Sequence, residues 1–370
     1  MFIFPTLGKL VILILEKNNK LYMQYNNLST TEIKVSKACL GTMSFGAHVP
    51  EETAIEVMDK AIELGINFFD TAELYAVPPC EETYGLTEEI IGRWMKERKT
   101  RNKIVLATKA VGPNRGFADY IRNGETHFDK KNLKTAIEGS LRRLQTDYID
   151  LYQLHWPDRN VNKFGEREFK FDANEISTPI LETLQILEEL KQEGKVRNFG
   201  ISNETPWGTM EFLRIAREEN LPRMVSIQNN YSLLTRSFEN GLSEISHREN
   251  IGLLAYSPLG YGVLGGRYLD GQKPEGGRFT KYPHFVPRYQ SPFVETIIKK
   301  YKTLAEENGL TLPQMALAFV YMQDFLTSNI IGPSNVEQLV EDVEAMNIKL
   351  SDEILKGITE IHEECPNPCA

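Results

Sequence analysis

The stretch GINFFDTAELY, residues 65–75, decides how the chain is read. Gly65 stops the helix before it, residues 66–69 form a short apolar strand, and Asp70 stands at that strand's carboxyl end. Tyr75 follows five residues later, inside the next loop. Two further strands end in chemistry-bearing residues: KIVLATK (residues 103–109) ends in Lys109 and YIDLYQLH (residues 148–155) ends in His155. Three neighbouring strands thus deliver an acid, an amine and an imidazole to one rim, with a phenol beside them.

Apolar periodicity predicts helices over 51–64, 87–96, 130–145 and 180–193, then 292–308 and 312–322. In the fourth of these, Leu181, Leu184, Leu187 and Leu190 are the expected inward residues. Between the helices lie strands at 39–42, 66–69, 103–109, 148–155, 196–201, 224–228, 251–256 and 329–331. Thr205-Pro206 reads as a helix N-cap with proline in the first turn. Ser334 and Glu337 have the spacing of a capping box for the last barrel helix. Residues 24–37 hold two β-prone pieces around Ser29, Thr30 and Thr31, a hairpin placed to close the bottom of the fold.

Strands apolar throughout, alternating with helices, belong to a parallel sheet buried on both faces. The strand number and chain length predict an α/β fold, a (β/α)8 TIM barrel with an N-terminal β-hairpin and long loops at the C-terminal face. An open doubly wound sheet is the rival, but GTMSFG (residues 41–46) lacks its glycine fingerprint. The long connections, 110–129, 156–178 and 257–291, all follow strands, on the face where barrel sites lie.

The chain has 370 residues, 41% hydrophobic and 25% charged, with 42 Lys plus Arg against 51 Asp plus Glu and a net charge of −9. An acidic balance argues against nucleic acid as a partner. Cys39, Cys80, Cys365 and Cys369 lack zinc-site spacing, so no metal is expected, and they read as reduced thiols of a cytoplasmic protein. Residues 1–22 are expected to be a non-domain extension and residues 23–370 a single domain. The apolar part of that extension has neither signal-peptide charge nor the length to span a bilayer, so no membrane partner is expected.

Singly, Asp70 reads as a cap, Tyr75 as packing and Lys109 as a solvated end. Together they suit proton donation to a carbonyl oxygen. A free tyrosine has a pKa near ~10, and a close ammonium is expected to lower it toward the neutral range. Asp70 would pair with Lys109 and offset its desolvation, while His155 would orient the carbonyl.

On these residues the chain resembles the aldo-keto reductase family over its full barrel, from about Met23 onward. Residues 65–75 match the family's DTAxxY motif, and LATK (106–109) and LYQLHWP (151–157) match its lysine and histidine segments. The resemblance implies that Tyr75 is the general acid, that Lys109 and Asp70 tune it, and that His155 positions a small-molecule carbonyl substrate. It further implies an aldehyde reductase type of oxidoreductase using NADP(H), with NAD(H) as the alternative. Thr42, Met43, Asp70, Ser202, Asn203 and Gln228 then fall on the nicotinamide side, where side chains of the last three suit an amide. Tyr256 would stack on the ring, with Ser257, Pro258, Leu259 and Gly262 along the pyrophosphate. Arg267 and Ser334 would meet a 2′-phosphate, and Gln338, Glu341 and Asp342 the adenine side. Trp156 would line the substrate side.

Asp342 departs from the family's usual asparagine, adding an acceptor-only carboxylate near a phosphate-bearing cofactor. NADP and NAD both stay open on that account. The segments 75–88, 164–171 and 227–239 look most like the bacterial Tas-like branch of the family. Two other readings compete: a cofactor-sensing subunit of the same superfamily with little turnover, and a barrel lyase or isomerase using Lys109 as a Schiff-base amine.

Overall fold

The computed structural model describes residues 23–114, 116–162, 164–166 and 168–369. The expected N-terminal extension lies outside the described residues.

Strands β1 (Tyr25–Asn27) and β2 (Lys34–Ser36) form the expected antiparallel hairpin, with Tyr25 opposite Ser36. Leu28 and Val35 from it pack on Cys39, Phe68, Ala107, Leu151, Val225, Leu254 and Ile330. Apolar side chains therefore fill the lower barrel, and the hairpin seals that end.

In chain order come β3 (Ala38–Gly41), α1 (Glu51–Glu63), β4 (Phe68–Asp70), α2 (Leu86–Arg98), β5 (Val105–Ala110) and α3 (Lys130–Leu144). Next are β6 (Ile149–Leu154), α4 (Ile180–Gln192), β7 (Val196–Ser202), α5 (Pro206–Glu218), β8 (Met224–Asn230) and α6 (Leu242–Glu249). The chain continues through β9 (Gly252–Tyr256), α7 (Arg278–Lys281), α8 (Pro292–Glu307), α9 (Leu312–Tyr321), β10 (Leu326–Ile331), α10 (Val336–Glu344) and α11 (Asp352–Glu364). Strands β3 to β10 close into an eight-stranded barrel in which β10 pairs in parallel with both β3 and β9. The open-sheet rival is thereby removed.

Gly65 does stop α1. Its φ of +84° lets its N–H reach the Ile62 carbonyl while that of Ile66 reaches Ala61, the double bond of a left-handed helix end. Ile66 is consumed in that turn, so β4 begins only at Phe68. Thr205 caps α5 as expected, accepting from the Gly208 N–H ahead of Pro206.

The expected cap of α10 is one residue out. Asn335, in extended backbone, accepts from the Gln338 N–H at 2.9 Å, and the Gln338 side chain accepts from the Ser334 N–H at 2.8 Å. Asparagine caps as well as serine does, so the helix starts one residue later. The Ser334 side chain is left facing a cavity. On α4, Leu181 is 37% exposed, and Thr183, Leu184, Ile186, Leu187 and Leu190 make the buried face. Helices α6, α7 and α11 had no counterpart among the sequence-based expectations.

Candidate active site

Alternation along β5 decides which residues enter the barrel. Leu106 and Ala110 pack outward on the helices, whereas Ala107 joins the interior cluster. Lys109, two residues on from Ala107, points inward with it and is completely buried. Its ammonium donates to Asp70 Oδ2 at 2.6 Å, to the Thr71 carbonyl at 2.8 Å and to Tyr75 Oη at 3.4 Å. A buried ion pair is sustained only when its remaining hydrogen-bonding capacity is met. Here Asp70 Oδ1 accepts from the side-chain amides of Gln153 at 3.1 Å and Gln228 at 2.8 Å. A carboxylate only accepts, so both amides must turn their NH2 groups to it.

Tyr75 is held by its neighbour in the motif, Glu73. That buried carboxylate accepts from the Val111 N–H at 2.7 Å, from both Arg122 terminal nitrogens at 2.7 and 3.0 Å, and from Tyr84 Oη at 3.0 Å. The loop carrying Tyr75 is thus tied to the loop after β5.

The expected lowering of the Tyr75 pKa is not found. Burial, then the Asp70 carboxylate, then Tyr261 push it well above the ordinary tyrosine value. Burial is the larger cause, and Asp70, closer to the ammonium than the phenol is, adds its own charge to it. The phenol therefore keeps its proton. Because its oxygen accepts from Lys109, that proton is free to be donated elsewhere.

His155 is buried beside it, the rings edge to face at 5.8 Å and 80°. Burial and then Lys109 hold the imidazole well below its ordinary pKa, so it is neutral at pH 7. Trp156 is buried against it, ring centroids 4.9 Å apart, with its indole N–H on the Pro113 carbonyl at 3.1 Å.

Above these residues opens a cavity of about 860 Å³. Of the sequence-predicted set, Asp70, Tyr75, His155 and Trp156 line it, as do Thr42, Met43, Ser202, Asn203, Gln228, Tyr256, Ser257, Pro258, Leu259, Gly262, Arg267, Ser334, Gln338, Glu341 and Asp342. Lys109 alone does not reach it. A lysine sealed behind Asp70 and Tyr75 has no approach to a carbonyl carbon, which removes the basis for the Schiff-base reading.

The amide-binding candidates are already set by one another. Asn203 donates to the His155 carbonyl at 2.9 Å and accepts from Tyr256 Oη at 2.7 Å, while Ser202 Oγ donates to the Gln228 carbonyl at 2.8 Å. Thr42 Oγ1 donates to the Asp70 carbonyl at 2.8 Å. With its NH2 turned to Asp70, Gln228 has its carbonyl oxygen left for an amide donor. Elsewhere the cavity is basic. Arg267 and Arg278 line it, and with Lys281 they surround His48, whose Nδ1 is buried without a partner among the described residues. Cations that pair with no carboxylate among the described residues at one place, and amides and hydroxyls at another, fit the phosphate and carboxamide ends of a nicotinamide dinucleotide. Gln153 and Arg278 were not anticipated. The signal for Gln153 was its position opposite Lys109 in the β5–β6 register.

Asp342 is 8% exposed and has no ion pair among the described residues. Burial, reinforced by Glu341, pushes its carboxyl up to about 8. In the unfolded chain it would titrate near ~4. A raised folded pKa gives stability that is whole below about 4 and is lost as pH rises toward 8, at about 1.4 kcal/mol per unit. Asp342→Asn should therefore stabilise the cofactor-free protein by about 3 kcal/mol more at pH 6.5 than at pH 4.5. Urea midpoints of both proteins at the two pH values check this, and an equal difference at both would contradict it.

Among the described residues no helix is long and apolar enough to cross a membrane. The model of the Aldo/keto reductase family matches residues 37–363. The chain is 43% identical over 341 residues to Protein tas of Escherichia coli, covering 92% of this chain and 98% of that one. It is 35% identical over 350 residues to the uncharacterized oxidoreductase YrpG of Bacillus subtilis, covering 92% and 96%. It is 30% identical over 342 residues to norsolorinic acid reductase B of Dothistroma septosporum, covering 89% and 79%. With its closed barrel, its strand-end residues and these relatives, the chain belongs to the aldo/keto reductase family of oxidoreductases, in its bacterial Tas-like branch.

Proposed function

We propose that this chain, acting as one barrel domain from residue 23 onward, is an NADP-dependent cytoplasmic reductase of aldehydes and ketones. The observation that carries the reading is the Tyr75 phenol, hydrogen-bonded through its oxygen to a charge-neutralised lysine with its proton free to be donated. The bound nicotinamide would supply the hydride that reaches the carbonyl carbon. Tyr75 would give its proton to the carbonyl oxygen as charge develops there. His155, neutral and with one N–H, would hold that oxygen beside the phenol as a preorganised donor. Lys109 and Asp70 would fix the phenol and keep it from turning away.

For the cofactor, Ser202, Asn203 and Gln228 would hold the carboxamide, Tyr256 would lie against one face of the nicotinamide ring, and Thr42 and Met43 would contact the same end of the cofactor. Ser257, Pro258, Leu259 and Gly262 would follow the pyrophosphate. Arg267, Arg278 and Ser334 favour the 2′-phosphate, an anion that suits unpaired guanidiniums. Gln338, Glu341 and Asp342 would meet the adenine.

Fluorescence titration with NADPH and NADH, followed by oxidation assays with a panel of aliphatic and aromatic aldehydes, tests this. NADPH should bind at least tenfold more tightly, and aldehydes should be reduced. Tight NADPH binding without turnover of any carbonyl would favour the cofactor-sensing alternative. Equal affinity for NADH would remove the 2′-phosphate assignment.

A further inference from the structure

The cavity holds a second basic feature that the proposed cofactor does not use. Arg288 follows Phe285, Val286 and Pro287 on a segment that walls the cavity. Its guanidinium lies over the Tyr289 ring, 5.2 Å from the centroid, and no carboxylate among the described residues pairs with it. Its Nε is shut off from solvent and has no hydrogen-bond partner among the described residues, so an incoming group would meet the terminal nitrogens.

The Tyr289 ring beneath it packs on Tyr261 at 5.3 Å, and Arg278 lies over that same Tyr261 ring at 5.8 Å, so the two cations flank one aromatic cluster. Tyr289 Oη accepts from the Asn230 side-chain amide at 2.8 Å, and Asn230 stands opposite Tyr256 in the β8–β9 register. Arg288 therefore belongs to the end of the cavity where the carbonyl chemistry would occur. Aromatic side chains dominate that end: Trp156 packs against Phe117 and Phe164, with centroids 5.7 and 5.9 Å away, and Tyr261 packs against Phe285 at 5.7 Å. The carboxylates lining the cavity are elsewhere or already satisfied. Asp70 is taken by Lys109 and two amides, while Glu341 and Asp342 stand on α10.

We propose that Arg288 is the anion-recognition residue of the substrate site, and that the substrate class is an aldehyde or ketone carrying a carboxylate on an aromatic or other apolar body. A guanidinium offers a planar pair of donors that matches a carboxylate, and the aromatic wall takes the body between that group and the carbonyl. The assignment rests on the reductase reading and adds the substrate's chemistry to it.

The test compares 4-carboxybenzaldehyde with its methyl ester, in the native protein and in Arg288→Met and Arg288→Lys. With NADPH the native protein should prefer the acid in kcat/KM. Arg288→Met should lower the acid-to-ester ratio at least tenfold, chiefly through KM, and Arg288→Lys should restore part of it. Binding of benzoate to the protein with NADP is measured by fluorescence alongside, so the outcome does not depend on turnover. A tenfold weaker benzoate Kd in Arg288→Met supports the assignment even if no aldehyde is reduced, in which case the reductase reading alone fails. An unchanged acid-to-ester ratio together with an unchanged benzoate Kd overturns it. So does a loss of NADPH affinity in Arg288→Met without loss of benzoate, which would place Arg288 on the cofactor.

Discussion

Tyr75→Phe should reduce the rate of carbonyl reduction by about 10²–10⁴-fold, the range for loss of a positioned general acid, while NADPH affinity stays within about twofold. The substitution removes one oxygen and keeps the ring that packs edge to face on His155. Lys109 still has Asp70 and the Thr71 carbonyl, so the ion pair stays satisfied. Steady-state assays and a fluorescence titration measure the two halves, and unchanged turnover would sink the mechanism. The pH profile gives a second reading. Only the protonated phenol can act, so activity is lost as pH rises through the Tyr75 pKa. Because burial and Asp70 hold that value above the usual one, the rate should stay level through pH 9 instead of falling in the neutral range.

Lys109→Met should destabilise the protein by about 3–5 kcal/mol, the cost of leaving one member of a buried pair without the other. Methionine nearly matches the lysine stem, so little of the loss comes from packing. Asp70 would keep the Gln153 and Gln228 amides but lose the ammonium at 2.6 Å. Adding Asp70→Asn to Lys109→Met removes the stranded charge and should recover much of the loss, giving a strong coupling in a double-mutant cycle. Denaturant unfolding of the four proteins measures it. Additive losses would show that the pair contributes no mutual energy.

The candidate catalytic rim was legible because a strand end is a fixed address. Once the barrel is assigned, Asp70, Lys109 and His155 must stand on one face whatever the loops do. Tyr75 was legible through its short distance from β4, although its acidity was not, since that depends first on how deeply the loop buries the phenol and then on the Asp70 carboxylate beside it. Gln153 was passed over as an uncharged residue in an apolar strand, yet the inward phase of Ala107 and Lys109, carried across the register, assigns it. Arg278 and Arg288 lie in the long connection after β9, where no period says which way a side chain turns. Helix α11 buries only Ile354 and Ile358, too thin a stripe to stand out. Ser334 was misread as a cap because Asn335 beside it is equally suited.

The complete enclosure of Lys109 has a practical outcome. Amine-reactive reagents will modify the exposed lysines of the outer helices and leave this one untouched while the barrel is closed. The time at which Lys109 becomes acetylated, followed by peptide mass, is therefore a clock for opening of the barrel. Any bound ligand that steadies the fold should slow that clock without altering the labelling of the surface.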